Sequence, residues 1–220
     1  VILAGLDSAT DQLAQNQNRN KTNRELIHNT NEKLSATESK MEALRNITER
    51  YDGYGNSIRR VMEQKQWNPG IIGVVADIIT VNQKYEVAVE TALGGSIQNI
   101  VTEDDATAKR MISYLKTNRL GRATFLPLNT ITDRGSVRND VLREKGVIGV
   151  ASDLVEVDSK FNTLVKNLLG KIIVVDNIDN ALAVARKNNQ SLRLVTIEGE
   201  LINPGGSMTG GAFRNSSNLL

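Results

Sequence analysis

The chain has 220 residues, of which 40% are hydrophobic and 4% aromatic, and its formal net charge is +2. This composition can build one large or two small domains with mostly aliphatic cores, and the mild charge does not by itself indicate nucleic-acid binding. The absence of Cys excludes disulfides and thiolate metal sites, and no apolar run approaches the roughly 20 residues of a membrane span. The chain begins without Met, and we expect it to be a segment of a longer protein.

A long helix is predicted for the first part of the chain. No Gly or Pro occurs between Leu6 and Tyr51. Steps of seven residues give a largely apolar seam: Leu6, Leu13, Asn20, Ile27, Leu34, Met41 and Thr48. The companion seam, three residues further on, is polar until its end. This periodicity predicts a coiled-coil arm over residues 1–51 that would be a weak zipper alone. The alternative is an amphipathic helix lying on the globular part.

A short junction follows the predicted arm. Gly53 and Gly55 break the long helix, and Asn56 or Ser57 can cap the next one. We therefore predict a junction helix within residues 52–69, with its end set by the sequence WNPG.

The remainder of the chain contains an internal duplication. The segment GIIGVVADIITVNQKYEVAVETALGG from Gly70 matches GVIGVASDLVEVDSKFNTLVKNLLGK from Gly146, with ten identities at a constant offset of 76. Each copy continues with a β-branched strand, a helix and another strand. We predict an α+β fold with two similar subdomains, over residues 70–128 and 146–213. A connector over residues 129–145 joins them.

The residues that could support catalysis are few. The single His, His28, lies in the predicted arm at neither seam position, so no nucleophile–His pair or His metal site is expected. Asp77 and Asp153 occupy equivalent positions, which permits a shared carboxylate site but favours turn or cap roles. The acids of EDDA, residues 103–106, could attract a divalent cation, but they suit a helix N-terminus better.

Two glycine pairs occur in the sequence NPGGSMTGG, residues 203–211, after a strand-like run. No Lys lies within this segment, and neither of the common phosphate-binding glycine motifs occurs in the chain. Glycines weaken a strand unless another backbone must approach closely. We therefore favour a smooth strip onto which another chain's strand can add. A flexible exit loop and a nucleotide loop are the alternatives.

A cluster of cations follows the EDDA segment. Lys109, Arg110, Lys116, Arg119 and Arg122 lie in a stretch without acids. Such a patch could hold nucleic-acid phosphates through salt-sensitive contacts that do not depend on base sequence. An ordinary solvated helix face is an equally good interpretation.

Taken together, these segments resemble a known family. The predicted coiled coil, the junction YDGYGNSIRRVM, the block from Gly70, the strand GRATFLPL, the second half-copy and the terminal NPGGSMTGG occur in this order. They resemble the hinge of bacterial SMC (structural maintenance of chromosomes) proteins over nearly all of the chain from Tyr51 onward.

The resemblance implies a homodimerisation domain that is not an enzyme. Two hinges would join in a ring-shaped dimer, with the first subdomain of each copy meeting the second subdomain of its partner. The parent protein would be a cytoplasmic, nucleoid-associated ATPase of chromosome condensation and segregation, without membrane contact. Its distant heads would bind ATP, Mg²⁺ and kleisin-type subunits, so the hinge itself needs no cofactor or metal. A nucleotide-binding or enzymatic domain that uses the glycine loop with Asp77 and Asp153 is the alternative.

The resemblance also implies particular site residues. The predicted dimer contact is Gly205, Gly206, Ser207, Met208, Thr209, Gly210 and Gly211. Weak DNA contact, independent of base sequence, is expected at Lys109, Arg110, Lys116, Arg119, Arg122 and Arg214. Some relatives have a lysine cluster after the last glycine pair, whereas AFRNSSN offers only Arg214. Residues 214–220 would begin a returning coiled coil.

Overall fold

The computed structural model describes residues 2–51 and 54–211, and within the first helix the side chains of residues 12–13 and 15–42. The chain divides into two units, one ending at Arg50 and one starting at Tyr51. Arg214 and the predicted returning coil, residues 214–220, lie outside the described residues.

The first unit is the predicted long helix. α1 (Ile2–Arg50) contains 49 residues, which corresponds to about 73 Å at the usual helical rise. Four side chains of the apolar seam, Leu13, Ile27, Leu34 and Met41, are each more than half exposed. These four seam positions are therefore uncovered in the part of the chain that the structure describes. No helix in the described ranges combines the length and apolar character that crossing a membrane requires.

The second unit mixes short helices and strands. Its helices are α2 (Asn56–Glu63), α3 (Val75–Ile78), α4 (Glu86–Leu93), α5 (Asp105–Thr117), α6 (Asn162–Leu169) and α7 (Ile178–Lys187). Its strands are β1 (Ile71–Val74), β2 (Thr80–Val81), β3 (Ile100–Thr102), β4 (Phe125–Pro127), β5 (Val147–Val150), β6 (Val155–Glu156), β7 (Ile172–Val175), β8 (Arg193–Thr196), β9 (Leu201–Ile202) and β10 (Met208–Thr209). The predicted α+β class is confirmed.

The junction helix buries the side expected from its sequence. α2 buries Ile58, Val61 and Met62. The predicted cap is wrong, because Gly55 is the N-cap and no side chain caps the helix. The hydroxyl of Ser57 instead donates to Arg122 O across 2.7 Å, which ties the junction to the loop before β4.

The two copies build corresponding sheets. The first sheet has the order β1-β3-β4, and the second has the order β5-β7-β8-β9-β10. In both copies the first strand pairs antiparallel with the next strand of the same sheet, β1 with β3 and β5 with β7. The first strand carries a bulge, between Ile71 and Gly73 in one copy and between Val147 and Gly149 in the other. The next pair is parallel, β3 with β4 and β7 with β8, as strand–helix–strand units favour.

A third, two-stranded sheet joins the copies to each other. β2 pairs antiparallel with β6, with Thr80 opposite Glu156. These two residues are equivalent in the duplication, because they are 76 positions apart. Antiparallel pairing of equivalent residues is two-fold symmetric, so a local two-fold axis passes through this pair. The sequence did not indicate this contact, because strands of two residues have no detectable periodicity.

One hydrophobic core lies between the copies. It contains Val89 and Val101 from the first copy and Leu164 and Val174 from the second, all nearly inaccessible to solvent. A separate cluster packs α7 on the other face of the larger sheet and includes Val141 from the connector. The two copies therefore share a core. The subdomain boundaries proposed from the sequence stay predictions.

Candidate dimer interface

The glycine-rich segment forms a hairpin at the end of the larger sheet. β9 and β10 pair antiparallel, and the Asn203 N–H donates to Ser207 O across 2.9 Å in the turn between them. Gly205 and Gly206 both have φ of +88°, which other residues adopt only with strain. The turn therefore explains this glycine pair, and the expectation that it lies within a strand needs correction. Its role in a dimer stays a prediction.

The second glycine pair follows the last strand. A Cβ atom on Gly210 would lie 3.0 Å from Glu200 Cγ of the neighbouring turn. Gly211 has φ of +133°, and a Cβ there would meet nothing within 4 Å. Gly210 thus permits close packing within the chain, whereas Gly211 leaves open space beside the sheet edge.

β10 is an open edge strand of the larger sheet. It is the last strand in the order β5-β7-β8-β9-β10. Because Asn203 and Ser207 bond to each other, the alternation of an antiparallel ladder directs the backbone N–H and C=O of Met208 away from β9. The side chain of Met208 is 53% exposed. An exposed edge of this kind can accept another strand.

The smaller sheet has an open edge at β4. β4 is the last strand in the order β1-β3-β4. Ile100 N–H donates to Thr124 O, and Leu128 N–H donates to Thr102 O. Strand alternation therefore directs the backbone groups of Phe125, and the carbonyl of Pro127, towards the open edge.

A comparison with the second copy supports the outward direction of these backbone groups of β4. In the second copy, β8 takes the place of β4 but is covered by β9, and the Thr196 N–H donates to Glu200 O across 2.9 Å. Thr196 corresponds to Pro127, because Thr102 faces Pro127 and Val175 faces Thr196 in matching parallel pairs. The first copy therefore lacks a hairpin and presents the edge that the second copy covers.

A groove lies next to the terminal hairpin. Its volume is about 580 Å³, and it runs between residues 90–98 at the end of α4 and residues 199–211 of the hairpin segment. Gly94 and Gly95 line it from the first copy, as do Gly210 and Gly211 from the second. The hydroxyl oxygen of Thr91, also in the lining, is buried without a hydrogen-bond partner among the described residues.

The carboxyl group of Glu90, which lines this groove, has a raised pKa. Burial raises the pKa of Glu90 above its ordinary value, and the neighbouring carboxylate of Glu86 raises it further. The ionised form of Glu90 is therefore less favourable in the folded chain than in water. A surface that covers this groove would have to accommodate that carboxylate.

The predicted DNA-contact residues lie on a different part of the unit. Lys109, Arg110 and Lys116 are exposed on α5, while Arg119 and Arg122 are exposed in the loop that follows. Lys109 and Lys116 are seven residues apart and share one helical face. The structure thus places these five cations along one helix and its following loop, and their contact with DNA stays a prediction.

The twin aspartates have local structural roles. Asp77 Oδ2 accepts a hydrogen bond from Val74 N–H at 3.0 Å and another from the Tyr51 hydroxyl. Asp153 is exposed and accepts from the Ser152 hydroxyl at 3.1 Å. Among residues 2–51 and 54–211 there is no group of three His, Asp or Glu side chains that could hold a metal ion. The nucleotide or enzyme alternative finds no support in this arrangement.

The EDDA segment caps a helix, as the sequence favoured. Asp104 is the N-cap of α5, and its side chain accepts from Thr107 N–H at 2.6 Å. This hydrogen bond is the largest cause of a lowered pKa at Asp104. Asp105 N–H donates to Asn129 Oδ1 across 3.0 Å, so the helix start is also tied to the connector.

Two features of the interface were missed in the sequence. The run LRLVTIEGELI is not one strand, because Gly199 has φ of +90° and turns the chain between β8 and β9. The open edge of β4 has no sequence signature of its own. Pro204-Gly205, a common turn dipeptide, was the signal that could have identified the hairpin.

Comparison with known proteins identifies similar sequences. Residues 68–185 match the family model described as the SMC proteins flexible hinge domain. The chromosome partition protein Smc of Bacillus subtilis (strain 168) is 40% identical over 185 residues, which make up 83% of this chain and 16% of that protein. The protein of the same name from Lactiplantibacillus plantarum is 40% identical over 190 residues, again 16% of its length. The chain thus spans about a sixth of these relatives.

Similar structures have been solved. The hinge domain of Geobacillus stearothermophilus SMC, described as an asymmetric dimer, has a TM-score of 0.72 and 36% identity over 88% of this chain and 80% of that one. The hinge domain of the Pyrococcus furiosus SMC protein has a TM-score of 0.62 and 37% identity over 82% of this chain and 93% of that one.

Proposed function

The chain belongs to the family of SMC flexible hinge domains, and from that premise we propose that it joins two copies of its parent protein through their open sheet edges. In this proposal β10 of each chain adds beside β4 of its partner. The observation that carries the proposal is the asymmetry of the duplication: the second copy has a hairpin that ends in an open edge, and the first copy lacks the hairpin that would cover the equivalent edge.

Such a contact can close on itself. When the β10 edge of one chain meets the β4 edge of another, a two-fold axis between the chains makes the reverse pairing form as well, and the interface is isologous. Without that axis the same contact would repeat from chain to chain as a ring or a filament. The local two-fold axis through Thr80 and Glu156 already relates the two copies within one chain. A reciprocal contact between two chains would give two equivalent seams and a closed dimer. The hinge domain of Geobacillus stearothermophilus SMC, described as an asymmetric dimer, supports self-association.

The glycines contribute to this function in two ways. Gly205 and Gly206 hold the hairpin turn through their left-handed backbone. Gly94, Gly95 and Gly211 leave the neighbouring groove without side chains, so that a partner backbone can approach. This division replaces the simpler idea that all of the terminal glycines act by close approach.

The relatives support a proposal for the role of the parent protein. We propose that the hinge joins two coiled-coil arms of a chromosome partition ATPase that acts in the cytoplasm on the nucleoid. ATP, Mg²⁺ and kleisin-type subunits would bind elsewhere in the longer protein, and the hinge itself would be neither an enzyme nor a cofactor site. The cations of α5 and its following loop would contact DNA weakly and without base preference.

The edge-pairing proposal is tested by removing one outward N–H at a time. Met208→Pro removes the outward donor of β10, and Phe125→Pro removes that of β4. Each change is expected to raise the dissociation constant of the dimer at least about tenfold, because edge addition depends on main-chain hydrogen bonds. Sedimentation velocity measures this constant. Met208→Ala and Phe125→Ala are the matched controls, since they truncate the side chain but keep the N–H. Circular dichroism checks that each variant folds.

Mixing the two proline variants distinguishes edge exchange from other modes of dimerisation. A mixed pair retains one seam in which both edges are intact, whereas either variant alone has a defect in both seams. Mixed dimers should therefore form more readily than either homodimer. If the parent chain stays monomeric at high concentration, or if the mixture associates no better than the separate variants, the proposal is wrong.

A further inference from the structure

A second groove, on the connector side of the larger sheet, has no role in the proposed dimer. Its volume is about 370 Å³. It is bounded by the connector, by the end of α6, by the starts of β7 and β8, and by Pro204. We name it the connector groove.

The rim of the connector groove is strongly cationic. Arg134, Arg138, Lys171 and Arg193 line it, and no acidic side chain does so within the part of the chain that the structure describes. Arg138 is already engaged, because its guanidinium donates to Asn188 Oδ1 at 3.0 Å and lies 3.6 Å from an Asp140 carboxylate oxygen.

The other three cations have no such partners. Among residues 2–51 and 54–211, no acidic side chain pairs with Arg134, Lys171 or Arg193. Arg193 Nε is also buried without a hydrogen-bond acceptor in the described residues. A buried donor without an acceptor is unfavourable in proteins and calls for an explanation. An anionic group in the groove would pair with the charges of Arg134, Lys171 and Arg193.

The cations do not follow from the duplicated scaffold. Lys171 corresponds to Gly95 in the first copy at the constant offset of 76. Arg193 faces Ile172 at the start of the parallel pair, and the equivalent place in the first copy is held by Thr124, one residue before the Ile100–Phe125 pair. Neither corresponding residue is charged. These charges are therefore not part of the scaffold that the two copies share.

The floor of the groove identifies the kind of ligand. The apolar floor consists of Val137, Leu168, Ile172 and Leu192, which line the groove together with the cations. A nucleic-acid backbone would leave this apolar floor uncovered. Among the described residues, no aromatic side chain on which a base could stack lines the groove. Guanidinium groups pair with carboxylates in a bidentate way, while an apolar side chain between the carboxylates would cover the floor.

We propose that the connector groove binds a short acidic and apolar peptide segment of a partner protein. Carboxylates of the segment would bind Arg134, Lys171 and Arg193, and its aliphatic side chains would pack on Leu168 and Ile172. Charge complementarity and the apolar floor carry this assignment, which does not depend on the proposed dimer. Pro204 in the lining adjoins the glycine turn, so a bound segment would also lie beside the terminal hairpin.

Fluorescence anisotropy with a labelled synthetic peptide that repeats Glu, Leu and Ser tests the proposal on the full chain. Saturable binding is expected. Arg193→Gln and Lys171→Gln should each weaken it about fivefold to tenfold. Arg186→Gln, which removes the same charge from an exposed position on α7 outside the groove, should leave it within about twofold. Thermal melts show whether Arg193→Gln still folds, and Lys171→Gln, at an exposed position, remains informative if it does not.

Two further probes decide the class of ligand. A peptide in which every Leu is replaced by Ser should bind about tenfold more weakly, because it cannot cover the floor. A labelled DNA duplex should bind without sensitivity to Lys171→Gln. Absence of saturable peptide binding overturns the proposal. Equal binding of the Leu-free peptide, or DNA binding that depends on the same residues, would also overturn it, because the groove would then be a general anion or nucleic-acid surface.

Discussion

The first and second halves of the globular unit build the same bulged strand, helix and parallel strand, but only the second half continues into the β9–β10 hairpin. The shared parts bury one core and meet on a local two-fold axis. The parts that differ are the open edges and the cationic connector groove. The comparison teaches that the repeated sequence supplies the scaffold, while the proposed functions lie where the copies diverge.

The largest expected effect concerns a glycine that both copies share. Gly70 and Gly146 immediately precede the equivalent strands β1 and β5. A Cβ on Gly70 would lie 2.5 Å from Thr107 Oγ1, at the third residue of α5, and a Cβ on Gly146 would lie 2.5 Å from Asn180 Cβ, at the third residue of α7. Only Gly146 also has a positive φ, of +85°. Gly146→Ala should lower the free energy of unfolding by about 3 kcal/mol, and Gly70→Ala by about 1–2 kcal/mol. Urea denaturation measures both.

Another twin pair provides the control. A Cβ added to Gly149 would meet nothing within 4 Å, whereas a Cβ added to its twin Gly73 would lie against Asp77. Gly149→Ala should change stability by less than about 0.5 kcal/mol. Equal losses for Gly146→Ala and Gly70→Ala would contradict the role given to the left-handed backbone.

The next effect separates the twin aspartates. Asp77 accepts from Val74 N–H and from the Tyr51 hydroxyl, whereas the exposed Asp153 binds only its neighbour Ser152 among the described residues. Asp77→Ala should lower the free energy of unfolding by about 2 kcal/mol and Asp153→Ala by less than about 0.5 kcal/mol. Thermal or urea unfolding measures the difference.

Tyr51→Phe separates the two bonds of Asp77. It removes only the hydroxyl donor, so a smaller loss than that of Asp77→Ala is expected. A loss at Asp153→Ala as large as that at Asp77→Ala would show that the duplicated position has the same role in both copies. The divergence described above would then be wrong at this site.

Much of the scaffold could be predicted from the sequence. The heptad seam predicted α1, and the match at a constant offset predicted two strand–helix–strand units with Asp104 at a helix start. These features have long periods or strong local chemistry. The glycine pairs favoured strand addition by another chain, and the family resemblance identified that chain as a second copy.

The rest depends on contacts that are distant in sequence. β2 and β6 have two residues each, too few for a periodic signal, and their pairing follows from the packing of the two copies. The glycines of the terminal segment look alike in sequence, yet Gly205 and Gly206 form a turn while Gly210 packs on Glu200. Which role a glycine has is decided by its φ and its neighbours, and neither can be read from local sequence.

The smallest expected effect concerns twin caps that differ in charge. Asp104 caps α5 through Thr107 N–H, and its counterpart on α7 is Asn177, which caps through Asn180 N–H at 3.0 Å. A second pair of equivalent caps consists of Asp158 in the second copy and Asn82 in the first, which are 76 positions apart. In this pair the acid lies in the second copy. Asp158 and Asn82 accept from the N–H groups of Lys160 and Lys84, both at 3.1 Å. Each copy therefore has one titratable cap and one that does not titrate.

The pKa values set the pH range of this difference. The hydrogen bond from Thr107 N–H lowers the pKa of Asp104, and the one from Lys160 N–H lowers that of Asp158. A lowered pKa in the folded state means that the stabilisation is present above the ordinary Asp value of 3.8 and is lost as pH falls through the lower folded value. The two asparagine caps keep their hydrogen bonds over the same range.

Replacement of both acids by Asn tests this assignment. The double variant Asp104→Asn and Asp158→Asn should match the parent at about pH 7, because Asn and Asp cap equally well, and should lose less stability than the parent between about pH 5 and pH 3. Asn177→Ala, the control, should lose about 1 kcal/mol at every pH. Urea midpoints across this range measure the slopes. If the urea midpoints of the double variant and the parent fall in parallel as the pH is lowered, acid unfolding begins at other carboxylates. The charge difference between the twin caps then has no measurable consequence.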